Sequence, residues 1–127
     1  MVTTDGTRKF LILEDDPDIQ MLIAHYLNSR WPGAIVDKAL NGIEGIDEQQ
    51  LRQYDVMFTD INMPGMDGRG FIQTIKENYW LNESTPIIVI TKVELKPLRE
   101  ELKQFHNIKF LRKPFTRDAF IELVRKA

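Results

Sequence analysis

The chain has 127 residues, 43% hydrophobic and 28% charged, with a formal net charge of -2 and no cysteine. That length suits one domain with a core of its own but not two. The charge gives no basic footprint for nucleic acid, the lack of thiols excludes disulfides and cysteine chemistry, and no apolar stretch reaches membrane-spanning length.

Met1 to Lys9 is polar rather than signal-like, so a cytoplasmic chain is expected, with residues 1–8 a flexible extension and 9–127 the domain. The short apolar run Phe10 to Leu13 reads as a strand buried on both faces. A first helix starts at once behind it: Asp16 can cap it and Pro17 fits its first position, where the missing N–H costs nothing. Met21, Leu22, Ala24, Tyr26 and Leu27 include apolar positions at helical spacing, and Trp31-Pro32-Gly33 ends the helix. A weaker strand, Ala34 to Ala39, leads through Asn41-Gly42 into a second helix with Ile43, Ile46 and Leu51 as its expected core contacts. The third strand is Asp55 to Thr59. A loop rich in turn formers, Asp60 to Gly68, follows, and Asp67 caps a third helix that buries Phe71, Ile72 and Ile75. Thr85-Pro86 introduces a fourth strand, Ile87 to Ile90, closed by Thr91. Leu95, Leu98, Leu102 and Phe105 form the apolar stripe of a fourth helix with Pro97 in its first turn. A fifth strand, Ile108 to Leu111, and a fifth helix from about Thr116 complete the pattern. Alternating strands and helices imply right-handed crossovers and a parallel sheet covered on both faces; the pattern alone leaves the strand order open.

The polar residues that end these strands carry the chemistry. Glu14, Asp15 and Asp16 follow the first strand, Asp60 the third, Thr91 the fourth and Lys113 the fifth. In an open parallel sheet, ligands bind beyond the carboxyl ends of the strands. Carboxylates gathered in one pocket repel one another and call for a hard divalent cation such as Mg2+. An aspartate can attack phosphorus to give an acyl phosphate, and the cation, an ammonium and a hydroxyl can then stabilise the transferred group. These residue types converge on metal-assisted phosphoryl transfer to a carboxylate.

Four segments carry a resemblance: Phe10-Leu-Ile-Leu-Glu-Asp-Asp-Pro, Asp60-Ile-Asn-Met-Pro-Gly-Met-Asp-Gly, Pro86-Ile-Ile-Val-Ile-Thr91 and Lys113-Pro114-Phe115. Together, from Lys9 to Lys126, the chain resembles a receiver domain of the two-component response regulators, of the chemotaxis-regulator type. The resemblance implies a flavodoxin-like three-layer α/β sandwich with strand order 2-1-3-4-5. It implies that Asp60 takes a phosphoryl group from a histidine kinase or histidine phosphotransfer protein. Mg2+, with Mn2+ as the alternative ion, would be held by Asp15, Asp60 and the backbone carbonyl of Asn62, with Glu14 reaching it through water. Thr91 would be the switch hydroxyl, Lys113 the phosphate-binding lysine and Phe110 the switch aromatic. Such a domain signals rather than acting as an enzyme, although it catalyses its own phosphorylation and slow dephosphorylation. Its output would pass through the surface of the fourth helix, fifth strand and fifth helix, where exposed Ile121 or Val124 are candidate contacts, and a phosphorylation-dependent dimer is one expected form. The effector is open: the chain is either a stand-alone regulator or a receiver from a longer protein.

Three positions depart from the commoner family pattern. Lys92 stands where a small residue is usual, Phe110 where tyrosine is frequent, and Phe105-His106-Asn107 where a Gly-Ala turn is usual. Other readings are weaker. Asp15-Asp16-Pro17-Asp18 lacks the glycine and terminal glutamate of a calcium loop, and Gly65, Gly68 and Gly70 have the wrong spacing for a dinucleotide fingerprint. Asp16 and Asp18 suit helix capping and the helix dipole. His25 and His106 have no ligand partners at useful spacing. A phosphorylation-independent interaction module would not need the full set of acid, hydroxyl and lysine. A phosphatase with an aspartate nucleophile would need a second acid two residues on, where Asn62 stands.

Overall fold

Side chains along a strand alternate between the two faces of a sheet, so a strand covered on both sides must be apolar at every position. The computed structural model, which describes residues 6–78 and 80–127, shows the consequence. Strands β1 (Lys9–Leu13), β2 (Ile35–Ala39), β3 (Val56–Thr59), β4 (Ile87–Thr91) and β5 (Ile108–Arg112) alternate with helices α1 (Pro17–Arg30), α2 (Gly42–Gln49), α3 (Gly68–Glu77), α4 (Leu95–Leu102) and α5 (Arg117–Lys126). All strand pairs are parallel, in the order β2-β1-β3-β4-β5. This is the flavodoxin-like order that the resemblance implied. Leu11, Leu13, Met57, Ile87 and Val89 enter the core with Phe71, Ile72 and Ile75 of α3 and Leu98 and Leu102 of α4. Phe10, Ile12, Phe58, Ile88 and Ile90 enter the opposite one with Ile23 and Leu27 of α1 and Phe120 and Val124 of α5.

The helix entries follow local chemistry. Asp16 accepts a hydrogen bond from the Asp18 amide, Asp67 from that of Gly70 and Thr116 from that of Ala119, each satisfying an N–H that the first helical turn leaves without a partner. Before β5 the chain turns at Asn107, whose φ of 63 occupies the left-handed region that asparagine tolerates.

Two expectations about helix faces, on α2 and α5, are corrected, and on α1 packing selects one stripe of the apolar positions. Met21 is 64% exposed and Leu22 also faces outward, while Gln20 is buried. Apolar residues lie around much of α1, and the sheet engages the stripe of Ile23, Ala24 and Leu27. On α2, Ile46 packs inward but Ile43 and Leu51 (75%) are exposed. Gly42 and Gly45 face the core there, with Met66 and Leu13 filling the space a side chain would need. Finally, Val124 is a core residue beneath α5 and Ile121 is half-buried against the same cluster, so Val124 offers no exposed contact.

Of the expected N-terminal extension, residues 1–5 lie outside the described residues. Arg8 joins the sheet end, its carbonyl accepting from the Ile35 amide at 2.9 Å and its guanidinium standing 5.2 Å from the Trp31 ring centre.

Candidate functional site

Parallel registry brings the strand ends together. Leu13 of β1 is level with Thr59 of β3, and the Asp60 amide donates to the Leu13 carbonyl at 3.1 Å, so Glu14 and Asp15 emerge beside Asp60. On the other side, Thr91 of β4 is level with Arg112 of β5, and the Lys113 amide donates to the Thr91 carbonyl at 2.8 Å. Gln20, which the sequence reading passed over, ties the acidic end down: its Nε2 donates to the carbonyls of Glu14 (3.2 Å) and Ala39 (3.1 Å). A lone polar residue among α1's apolar positions was the available signal.

A cavity of about 330 Å³ opens here, lined by Glu14, Asp15, Asp16, Ile19, Asp60, Asn62, Thr91, Lys92 and Lys113. Lys113 is its electrostatic centre. The ammonium donates to Glu14 Oε1 and to Asp60 Oδ2, each at 2.8 Å, with the three side chains 8%, 3% and 12% exposed in the order Lys113, Glu14, Asp60. The other Asp60 oxygen, Oδ1, accepts from the Ile61 amide at 2.6 Å. Glu14 Oε2 accepts from the Asp16 amide, which holds the buried carboxylate in place. Thr91 is buried and its Oγ1 accepts from the Val93 amide at 3.4 Å, leaving its O–H as a donor. Phe110 is half-buried beside the α3/α4 core with the Arg99 guanidinium 5.5 Å from its ring centre. It lies outside the cavity lining.

Burial pushes the Glu14 carboxyl above the usual glutamate range, although the Lys113 hydrogen bond pulls the other way. Burial also works against the Lys113 charge, but its bonds to Asp60 and Glu14 outweigh that and hold the ammonium above the usual lysine range. The folded protein thus keeps the Glu14 proton to a higher pH than the unfolded chain does. The resulting stabilisation is complete below the unfolded glutamate value of 4.5 and is lost as pH rises through the raised one. In chelator-treated protein, Glu14→Gln should flatten this part of the melting temperature–pH curve. An unchanged slope would mean that Glu14 does not titrate there.

Carboxylate oxygens of Glu14, Asp15 and Asp60 lie within 4.8 Å of one another. Among the described residues this hard, all-oxygen set carries three negative charges against one internally bonded ammonium. That fits a hard dication, with the Asn62 loop at the cavity wall able to add a backbone oxygen. Asp16 lines the mouth, but its carboxylate caps α1.

Residues 10–125 match the response regulator receiver domain family, and the chain belongs to that family. Sensor protein EvgS of Escherichia coli strain K12 is 32% identical over 90 residues, which are 71% of this chain and 7% of that protein. Sporulation initiation phosphotransferase F of Bacillus subtilis is 27% identical over 93% of this chain and 91% of its own length. The first of these relatives is therefore far longer than the matched region. Chemotaxis protein CheY4 of Vibrio cholerae superposes with a TM-score of 0.85 at 26% identity, over 94% of this chain and 98% of that one. The receiver domain of sensor histidine kinase PA1611 from Pseudomonas aeruginosa gives 0.82 at 27% identity, over 94% and 96%, and has a magnesium ion coordinated in its active site cleft. The chain is thus a two-component receiver domain with the fold of the chemotaxis regulators. Among the described residues, no helix is long and apolar enough to cross a membrane.

Proposed function

We propose that Asp60 is the phosphoacceptor, taking a phosphoryl group from a histidine kinase or histidine phosphotransfer protein in a Mg2+-dependent reaction. The observation that carries this reading is the Lys113 ammonium bonded at once to Asp60 and Glu14, with the Asp15 carboxylate beside them. Asp15, Asp60 and the Asn62 carbonyl would hold Mg2+, with Glu14 reaching it through water, and the ion when bound supplies positive charge to the oxygens of the transferring group.

Asp60 is held by bonds to both of its oxygens, so it is oriented before a donor arrives. One of its oxygens forms the new O–P bond as the donor's N–P bond breaks, and the electron pair leaves on the imidazole nitrogen. The carboxylate is already ionised, so no base is required. Lys113 can donate to the phosphoryl oxygens, and the Thr91 hydroxyl offers a second donor on the facing strand end. A bond from Thr91 to the new group would draw the β4–α4 loop inward and bias Phe110 and the α4-β5-α5 surface. Phosphorylation then shifts a population between two arrangements.

Intact-mass analysis after acetyl phosphate and Mg2+ should show one base-labile phosphoryl group in the wild type and none in Asp60→Asn. Undiminished labelling of Asp60→Asn would overturn the assignment. In the same series, Asp15→Asn should weaken Mg2+ binding by calorimetry much more than Asp16→Asn, because only the former removes a direct ligand. Equal losses would shift the metal site by one residue.

A further inference from the structure

We propose that Lys92 is a specificity-determining residue of this site, making its mouth selective for doubly charged phosphodonors such as acyl phosphates; this rests on the phosphoacceptor reading of Asp60. Lys92 is exposed and lines the same cavity as the acids. Lys113, one position beyond the β5 residue that pairs with Thr91, is already committed to Glu14 and Asp60. The acid nearest in sequence to Lys92, Glu94, is taken by Arg112, whose Nη2 stands 2.9 Å from its carboxylate. Arg112 also approaches the Lys92 carbonyl, Nε to O 3.5 Å, and so holds the loop that carries the ammonium. Among the described residues Lys92 has no ion-pair partner.

Charge decides what this does. Four carboxylates line the cavity, and a bound dication with Lys113 neutralises three of them. Without Lys92, a phosphodonor dianion would approach a mouth with one negative charge left over. With it, the mouth is neutral and carries its positive group at the rim. A charge so placed acts on encounter, and salt screens it, because the Debye length falls from about 10 Å at 0.1 M to about 3 Å at 1 M.

The test compares wild type, Lys92→Met, which keeps bulk without charge, and Lys92→Glu. Phosphorylation rates with Mg2+ are followed by intact mass from low to high ionic strength, using acetyl phosphate and the singly charged donor phosphoramidate. At low salt, Lys92→Met should be roughly three- to tenfold slower with acetyl phosphate and Lys92→Glu slower still. The differences should shrink at about 1 M salt and be smaller with phosphoramidate. Equal rates in wild type and Lys92→Met at low salt would overturn the proposal. So would a faster Lys92→Met, showing a side chain that obstructs, or a loss unaffected by salt, showing a structural role. A wild type that is not labelled, or Asp60→Asn labelled like it, would instead overturn the phosphoacceptor reading beneath it.

Discussion

Lys113→Met should both destabilise the protein and nearly abolish its phosphorylation. The substitution keeps an unbranched side chain of similar length but leaves two almost fully buried carboxylates, Glu14 and Asp60, without their shared cation. Removing one partner of a buried ion pair costs about 3–5 kcal/mol. Here the loss should fall toward the lower end, because the cavity is open on one side and Glu14, already pushed up by burial, can take a proton. On the proposed phosphoacceptor reading the missing ammonium is also a donor to the transferring group, and loss of one such donor typically costs about 100- to 1000-fold in rate. Three measurements check this. Chemical denaturation should show the loss at neutral pH, and the loss should shrink on acidification as Glu14 protonates. Mg2+ should raise the melting temperature of Lys113→Met more than that of wild type, since the ion replaces the missing charge. A variant as stable as wild type at neutral pH and indifferent to Mg2+ would show that Lys113 does not balance the acids.

Gly68→Ala should be the second severe change, and it reaches the site through the backbone. Gly68 opens α3, where alanine would ordinarily be favoured over glycine by about 1 kcal/mol. A Cβ there would stand 2.1 Å from the carbonyl oxygen of Asp60 and 3.0 Å from the Ile61 Cα. Both are main-chain atoms, so no side chain can rotate away. The Gly68 amide also donates to the Ile61 carbonyl at 3.0 Å, so the helix entry and the residues after β3 are fastened together. Either α3 moves outward, loosening Phe71 and Ile72 from the core, or the Asp60 main chain shifts and carries the carboxylate off Lys113. Overpacking typically costs about 1–3 kcal/mol, and a clash with backbone belongs at the top of that range or beyond it. Denaturation should show a loss of about 3 kcal/mol together with weakened Mg2+ binding. An alanine variant stabilised by its helix propensity would mean that α3 has room to spare.

The order of elements was legible because it is written in local chemistry. Continuous apolar runs bounded by turn residues mark doubly covered strands, and Asp16, Asp67 and Thr116 cap the helices at the positions their sequence context suggests. The strand-end residues Glu14, Asp15, Asp60, Thr91 and Lys113 were legible for the same reason: each closes an apolar run or stands within two residues of its end, and the topology sends those ends to one edge of the sheet. Less of the helix packing could be read. Periodicity identifies a helix but not which of two apolar stripes will meet the sheet. Met21 and Leu22 therefore competed with Ile23 and Leu27, and only the packed structure places the former outside and Gln20 within. In α2 two of the positions facing the core, beside Ile46, are glycines, which carry no hydrophobic signal; Leu13 and Met66 occupy the volume instead. Gly68 stands in the sequence only as the last residue of a turn-rich loop, and its real constraint, the approach of the Asp60 carbonyl, joins two segments that no local pattern relates.

By itself, then, the sequence determined the alternation of strands and helices, the caps and the residue types delivered to the strand ends, because each depends on residues a few positions apart. The tertiary structure decided the helix faces, the glycine contacts and the bridging of Glu14 and Asp60 by Lys113, a residue 99 positions from one partner and 53 from the other. Those depend on which distant surfaces share one enclosed volume, and packing sets that only once the sheet has formed.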